Sequence, residues 1–301
     1  MSDGRIWLIA GTIPIPEFPL QDGSCGIDAE DPSMLHCQGT TVPVFRGTAA
    51  LLGAACLCCE VLGTAPPRAV LAGDTGRGRG SRAVYAHLTK TMPDREERGI
   101  TFHYLMPDVR WHNRLLDAVR RRSERPMLVA DAGFMYVAKM SGFAPEYDLF
   151  TPDAGEIAFL ADERAPHPFY TRGFLLHEEK RVPELIHAAC EGKNAAKYLL
   201  VKGETDFVVE QGAVRAEVRE PMVPFLEPIG GTGDTVAGIA SAFLSAGYPM
   251  IRSCVLAARI NRVMGALASP TPATQIAELL RCLPRAARMV LWDEDSDPVS
   301  G

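Results

Sequence analysis

The chain has 301 residues, of which 47% are hydrophobic and 23% charged, and its formal net charge is −6. This composition is that of an ordinary globular protein, and the length suits one large α/β domain or two small ones. We expect neither nucleic acid nor a membrane as a partner, because the chain has no basic stripe and no run approaching the ~20 apolar residues of a membrane span.

Short apolar strands alternate with helices along most of the chain. Strands are predicted at 5–10, 69–72, 100–105, 127–130, 148–151, 198–202, 207–210 and 214–218, the last two as a hairpin. Helices are predicted at 47–62, 81–90, 112–122, 152–161, 178–190, 234–245, 251–267 and 275–286. This alternation predicts a mainly parallel sheet covered on both faces, in which ligands bind beyond the carboxyl ends of the strands.

Two segments depart from the alternation. Residues 12–45 are rich in Pro, Gly, Asp and Ser and have no helical period, so we expect a flap or hairpin insertion there. The acidic, polar tail at 293–301 is expected to be frayed. Because no repeat or low-complexity linker divides the rest, residues 1–301 are predicted to form a single domain.

The cysteines indicate a reduced protein rather than a disulfide scaffold. The chain has eight, and Cys56, Cys58 and Cys59 crowd one predicted helix, where they cannot all face one another. Zinc sites usually pair two such clusters, and the sequence shows no second cluster. Since the N-terminus also lacks the apolar core of a signal peptide, we expect buried, reduced cysteines in a cytoplasmic protein.

A glycine-rich turn at 230–234 runs directly into an apolar helix. Its glycines allow positive φ, and the first helical turn offers free N–H groups and the positive end of the helix dipole, so the turn suits an anion. Asp234 would repel a bound phosphate, but it could take a proton from a hydroxyl while the amides hold the charge that develops on a phosphoryl group. The alternative is a plain helix start with Thr232 or Asp234 as its cap.

Charged side chains mark two further strand ends. Asp153 and Glu156 lie at a strand-to-helix junction, where paired carboxylates suit Mg²⁺ held partly through water. The alternative is structural, with Asp153 as the helix cap and Glu156 closing a capping box. Lys202, followed by Gly203, ends an apolar strand and can reach a phosphate as a point charge; an exposed surface lysine is the alternative.

A loop of alternating Gly and Arg follows the strand at 69–72. It is neither a Walker A loop, which would end in Gly-Lys-Ser/Thr, nor a dinucleotide fingerprint, because its glycines are evenly spaced. Arg77 and Arg79 indicate either a loop that binds a phosphorylated substrate or a mobile surface turn. Asp74 and Asp131, each at a strand end, are candidates for binding substrate hydroxyls. The seven histidines show no metal spacing and are assigned no role.

In chain order, the acid pair, the lysine and the glycine turn resemble the ribokinase-like superfamily. Gly231-Thr232-Gly233-Asp234 matches its Gly-x-Gly-Asp motif in full. Asp153-Ala154-Gly155-Glu156 is similar to its Asn-x-x-Glu motif, with Asp in place of Asn. The resemblance implies a three-layer α/β/α sandwich with a central, mainly parallel sheet. It also implies that Asp234 is the catalytic base and that Glu156 organises Mg²⁺.

Within the superfamily, the chain looks most like the ATP- or ADP-dependent NAD(P)H-hydrate dehydratases. The shared strings lie at 151–156, 202–203 and 230–238. Those enzymes usually have His where this chain has Asp153, and the segment after Asp131 differs from theirs. The resemblance implies phosphoryl transfer from ATP or ADP to the hydroxyl of hydrated NAD(P)H. A small-molecule kinase of the same superfamily and a non-catalytic nucleotide-binding relative are the alternatives.

These motifs define the expected site. The catalytic residues are Gly231, Thr232, Gly233 and Asp234; the nucleotide-binding residues are Lys202, Gly203, Gly230, Gly231 and Asn261; the substrate-binding residues are Asp74, Arg77, Arg79, Asp131 and Asp153; and the metal ligand is Glu156. The expected cofactors are ATP or ADP and Mg²⁺, and the expected partners are a nucleotide and a small-molecule substrate. We also expect a homo-oligomer.

Overall fold

The computed structural model describes residues 6–163 and 181–296. Its strands are β1 (Trp7–Ile13), β2 (Gln21–Ile27), β3 (Met34–Cys37), β4 (Thr40–Pro43), β5 (Arg68–Gly73), β6 (Gly99–His103), β7 (Met127–Ala130), β8 (Leu149–Phe150), β9 (Tyr198–Val201), β10 (Asp206–Glu210) and β11 (Ala213–Val218). Its helices are α1 (Thr48–Leu62), α2 (Arg79–Thr91), α3 (Val109–Arg120), α4 (Gly133–Met140), α5 (Ala154–Ala161), α6 (Val182–Glu191), α7 (Thr232–Ser245), α8 (Met250–Ala268), α9 (Ile276–Leu280) and α10 (Leu283–Ser296). None of the helices in these two ranges has the length and apolar character needed to cross a membrane.

By their internal contacts, the described residues divide into two compact units. The sheet unit comprises residues 6–22, 69–163 and 181–217. The helical unit comprises residues 23–68 and 218–296. That residues 1–301 form a single domain stays a prediction.

A mainly parallel sheet forms the centre of the sheet unit. Its strands are ordered β11-β10-β9-β8-β7-β6-β1-β5. β1 pairs in parallel with β6, β6 with β7, β7 with β8 and β8 with β9, whereas β10 runs antiparallel to β9. Every residue of β1 and β6 is buried, as expected for strands covered on both faces. The structure confirms the predicted α/β class with its mainly parallel sheet.

Trp7 of β1 and Gly99 of β6 are register partners. A Cβ added to Gly99 would lie 2.3 Å from the ring of Trp7, so this position requires glycine. The same indole donates from Nε1 to Oγ1 of Thr101 at 2.9 Å. Because β6, β7, β8 and β9 are parallel, their carboxyl ends lie at one edge of the sheet, where ligand sites of such sheets form.

The helical unit contains a tight helix crossing and a small antiparallel meander. A Cβ on Gly238 of α7 would lie 2.2 Å from the carbonyl oxygen of Leu51 in α1, so glycine permits the close approach of the two helices. α1 is buried continuously from Thr48 to Cys59, which explains its lack of a polar face. Strands β2, β3 and β4 pair antiparallel within the segment predicted as a flap or hairpin.

One prediction about the cysteines is wrong. The structure joins Cys25 and Cys37 by a disulfide, with Cα atoms 4.4 Å apart on paired antiparallel strands. The sequence did not indicate this pairing, because the two residues lie in a segment whose strands have no clear alternation. Cys56, Cys58 and Cys59 are free and buried. Burial raises the pKa of Cys56 to about 12, which makes it an inert thiol.

Several helices differ from prediction. α4 was not predicted, because its eight residues follow Ala132 without a capping side chain, whereas the equally short α5 is marked by its capping box. The helix predicted at 275–286 is two helices, since Pro284 cannot donate an N–H to the preceding turn and instead lies in the first turn of α10. The predicted helix at 178–190 is α6 in its described part, and its start lies outside the described residues. α10 extends to Ser296, and the remainder of the tail lies outside them too.

Candidate active site

The glycine turn of the helical unit leads into α7 as predicted. Gly231 has φ 105° and precedes the first residue of α7. A Cβ on Gly231 would lie 3.1 Å from Ile276 and 3.2 Å from Arg46, so both space and backbone angle favour glycine. The N-cap residue is Gly231, which has no side chain, and the Thr232 hydroxyl donates to the carbonyl of Ile229 at 3.1 Å. The structure therefore does not support the alternative in which Thr232 or Asp234 is the cap.

The carboxylate of Asp234 has a partner in the same unit that the sequence did not reveal. The backbone amide of Gly47 donates to its Oδ2 at 2.6 Å. Gly47 immediately precedes α1 and has φ 69° and ψ −148°. Asp234 itself is half-buried in the first turn of α7. An acid held in one orientation beside the amides of a helix start is the arrangement expected of a base that acts on a hydroxyl next to a phosphoryl group.

Asn261 supports the first turn of α7 from α8. Its Oδ1 accepts a 2.6 Å hydrogen bond from the hydroxyl of Thr235, and the side chain is buried. The same hydroxyl lies 2.8 Å from the carbonyl oxygen of Thr232. Asn261 therefore helps to position the turn. Its contact with a nucleotide, like that of Gly230, stays a prediction.

In the sheet unit, the structure brings together two predicted residues, Lys202 and Asp131. Lys202 Nζ lies 3.0 Å from Oδ1 and 3.3 Å from Oδ2 of Asp131. Oδ1 also accepts from the amide of Ala132 at 2.9 Å, and Asp131 is only 1% exposed. The lysine is thus not an exposed surface residue. Its ammonium is held at the carboxyl edge of the sheet by a buried carboxylate, directly after β9.

Two features beside Asp131 were missed. His103, the last residue of β6, is fully buried, and its Nε2 lies 4.0 Å from Oδ2 of Asp131. No sequence signal marked it, because the strand predicted at 100–105 places His103 in its interior rather than at its end. Ala132 has φ 51°, which is costly for a residue with a Cβ, and strained backbone of this kind is concentrated at functional sites.

The acid pair forms the capping box that the sequence offered as its structural alternative. Oδ1 of Asp153 accepts from the amide of Glu156 at 2.8 Å, and Oε2 of Glu156 accepts from the amide of Asp153 at 2.9 Å. Burial, and then the charge of Asp153, raise the pKa of Glu156 well above its usual range, while Lys202 opposes the shift. A raised pKa of this kind fits a site for Mg²⁺, because the charge of the ion would favour the ionised form of the clustered carboxylates. The assignment of Glu156 as a metal ligand stays a prediction.

The loop after β5 is organised around Asp74. Its Oδ1 accepts from the amides of Gly76, Arg77 and Gly78 at 2.9 to 3.0 Å, and its Oδ2 accepts from the amide and hydroxyl of Ser81 at 2.8 Å. Burial opposes ionisation, but these hydrogen bonds outweigh it and lower the pKa of Asp74.

Because Asp74 binds the amides of its own loop, a substrate would have to bind to the loop's side chains. Because the loop amides already have an anion as their partner, an incoming phosphate would meet the exposed guanidinium groups of Arg77 and Arg79 rather than the backbone. The structure gives Asp74 a loop-organising position, and its predicted contact with substrate hydroxyls remains untested.

No family model matches the chain. Among curated proteins, an uncharacterised protein of Methanocaldococcus jannaschii is 35% identical over 242 residues, which are 80% of this chain and the whole of that protein. The bifunctional NAD(P)H-hydrate repair enzyme of Pyrobaculum aerophilum is 30% identical over 147 residues, which are 48% of this chain and 26% of that enzyme.

Solved structures show the same fold at low sequence identity. A ribokinase-like superfamily protein of Enterococcus faecalis has a TM-score of 0.56 at 16% identity, covering 96% of this chain and 90% of its own. The ADP/ATP-dependent NAD(P)H-hydrate dehydratase of Bacillus subtilis, co-crystallised with ATP and Mg²⁺, has a TM-score of 0.54 at 16% identity. The match covers 95% of this chain and 89% of that one. The pyridoxal kinase of Staphylococcus aureus has a TM-score of 0.53 at 12% identity, and the match covers 87% of this chain and 89% of that one. The predicted ribokinase-like fold is confirmed, and the chain belongs to the same family as the M. jannaschii protein.

Proposed function

We propose that this protein transfers a phosphoryl group from ATP or ADP to the hydroxyl of a small molecule, with Asp234 as the base. The observation that carries the proposal is the carboxylate of Asp234, which the amide of Gly47 orients in the first turn of α7, a helix whose N-cap residue is Gly231. A protein that only bound phosphate would gain nothing from a negative charge there. A base that removes the hydroxyl proton, beside amides that hold the transferred charge, accounts for both features.

The other residues have supporting roles in this proposal. The amides at 231–234 hold the negative charge that develops on the phosphoryl oxygens. Lys202 contributes its positive charge to phosphate binding, and Asp131 holds the lysine in place beforehand. Glu156 would hold Mg²⁺, partly through water, and the ion would neutralise charge on the nucleotide phosphates, while Asp153 lies beside it on the substrate side.

We further propose hydrated NAD(P)H as the acceptor. Support comes from the motif resemblance and from the partial likeness to the P. aerophilum repair enzyme. Phosphorylating the ring hydroxyl would convert it into a good leaving group, and loss of phosphate and a proton from the ring would restore the dihydronicotinamide. The acceptor carries its own pyrophosphate, which Arg77 and Arg79 could bind through charge-assisted hydrogen bonds.

A kinase that leaves the phosphate on its product is the second candidate. It is favoured by one residue, Asp153, which is nearly isosteric with the Asn of the superfamily motif and unlike the usual His of the dehydratases. The base, the anion-binding amides and the metal ligands would be the same in both reactions. Only the fate of the phosphorylated product differs.

One experiment separates these functions. The protein is incubated with Mg²⁺ and ATP or ADP, and with either NADH hydrate or a panel of sugars and vitamin precursors. Recovery of dihydronicotinamide absorbance, dependent on nucleotide, supports the dehydratase. Transfer of phosphate to a panel compound without that recovery supports the kinase. If neither acceptor consumes nucleotide, the proposed phosphoryl transfer is contradicted.

A further inference from the structure

A groove between α2 and α3 of the sheet unit is lined by residues that have no part in the proposed reaction. Its volume is about 370 Å³, within the range of small-molecule sites. Lys90 lines it from α2, and Trp111, Arg114 and Arg121 line it from α3 and its carboxyl end. Trp111 and Arg114 are three residues apart, and Arg114 and Arg121 seven, so these side chains lie along one face of the helix.

The groove is basic although the chain is acidic overall. Its three cations occur in a protein whose net charge is −6. In the part of the chain that the structure describes, no carboxylate forms an ion pair with Lys90, Arg114 or Arg121. The one acid in the lining, Asp117, lies 2.7 Å from Arg120, which compensates its charge. Cations that share a concave surface repel one another, and a bound anion would relieve that repulsion.

The groove also contains a planar cation held over an aromatic ring. The Arg114 guanidinium lies 5.3 Å from the ring centroid of half-buried Trp111. Indole and guanidinium planes both stack with planar heterocycles.

We propose that this groove binds a small molecule in which a planar ring is joined to a phosphate, of the chemical class of a nucleoside monophosphate. Lys90 and Arg121 bind the phosphate, and the ring stacks on the guanidinium of Arg114, which lies over Trp111. This site is additional to the nucleotide site of the proposed reaction and does not depend on that reaction.

Tryptophan fluorescence tests the proposal directly. In a Trp292→Phe background, which removes the exposed indole of α10, AMP is titrated and compared with inorganic phosphate and with adenosine. We expect saturable quenching by AMP, with adenosine and phosphate each binding at least about tenfold more weakly because each lacks half of the contacts. Trp111→Phe should abolish the quenching.

Matched arginine variants locate the anion contact. The double variant Arg114→Gln/Arg121→Gln should weaken AMP binding at least about tenfold. Arg110→Gln, an exposed residue of the same helix outside the groove, should leave it unchanged. The double variant should also keep the KM for ATP, which separates this site from the reaction. Equal AMP binding by the wild type and the double variant, or equal affinity for AMP and phosphate alone, would overturn the proposal.

Discussion

The amide of Gly47 and the carboxylate of Asp234 are joined by a 2.6 Å hydrogen bond across 187 positions of sequence. The bond links the starts of α1 and α7 within the helical unit. Gly47 adopts φ 69° and ψ −148°, a backbone region that is nearly closed to residues with a Cβ. Glycine is therefore needed at this position to point the amide at the proposed base.

Replacing Gly47 with Ala tests this positioning. We expect Gly47→Ala to lower kcat roughly tenfold while the KM for nucleotide hardly changes, because the carboxylate loses its orienting donor. The strained backbone should also lower the free energy of unfolding by about 1–3 kcal/mol. Steady-state kinetics and urea denaturation measure the two effects.

Gly63 provides a matched control at the other end of α1. It has φ 65°, and a Cβ added there would have no atom within 4 Å. Gly63→Ala should therefore lose stability but keep kcat. If both variants lose stability and neither loses kcat, the bond from Gly47 has no part in positioning the base.

Glu156→Gln separates a metal ligand from a helix cap. Gln can preserve the capping-box hydrogen bond to Asp153, but it is a poorer ligand for Mg²⁺. We expect a higher Mg²⁺ concentration for half-maximal activity and little change in Tm. A clear drop in Tm with unchanged Mg²⁺ dependence would assign Glu156 a purely structural role.

The double variant Arg77→Ala/Arg79→Ala tests the acceptor class. If these side chains bind the pyrophosphate of hydrated NAD(P)H, the KM for the acceptor should rise by an amount equivalent to about 1–3 kcal/mol per lost charged hydrogen bond. The KM for ATP should stay nearly constant and serves as the internal control. If the KM values for the acceptor and for ATP are both unchanged, the loop is only a solvated turn and the kinase is the better assignment.

The disulfide between Cys25 and Cys37 predicts a redox-dependent stability. Because the bond closes a short loop, Cys25→Ser/Cys37→Ser should lower the free energy of unfolding by about 2–4 kcal/mol under oxidising conditions. Strong reductant should bring the wild type close to the variant. Wild-type stability that does not respond to reductant and matches the variant would show that the bond does not form.

Local sequence patterns predicted two structural elements of the candidate site. Gly231 and Gly233 marked the turn before α7, and the spacing of Asp153 and Glu156 indicated, as the alternative to a metal site, the capping box that the structure contains. Such features depend on residues within one turn of each other, so propensity and spacing are enough to predict them.

Pairings across the fold could not be predicted in this way. The contact of Lys202 with Asp131 spans 71 positions and depends on the order of strands in the sheet, which no local pattern encodes. The same holds for His103 beside Asp131, since the position of β6 next to β7 is a property of the assembled sheet. The short helix α4 was also not predicted, because no capping residue marks its start.

The turnover of Asp234→Asn tests the central claim most directly. Asn keeps an oxygen that can accept the hydrogen bond from Gly47, so the substitution removes the basic carboxylate and keeps that bond. With the accepted substrate, Mg²⁺ and saturating nucleotide, kcat should fall by about 10²-fold or more, while Tm and nucleotide binding stay close to those of the wild type. Activity within a few-fold of the wild type would contradict the assignment of Asp234 as the catalytic base.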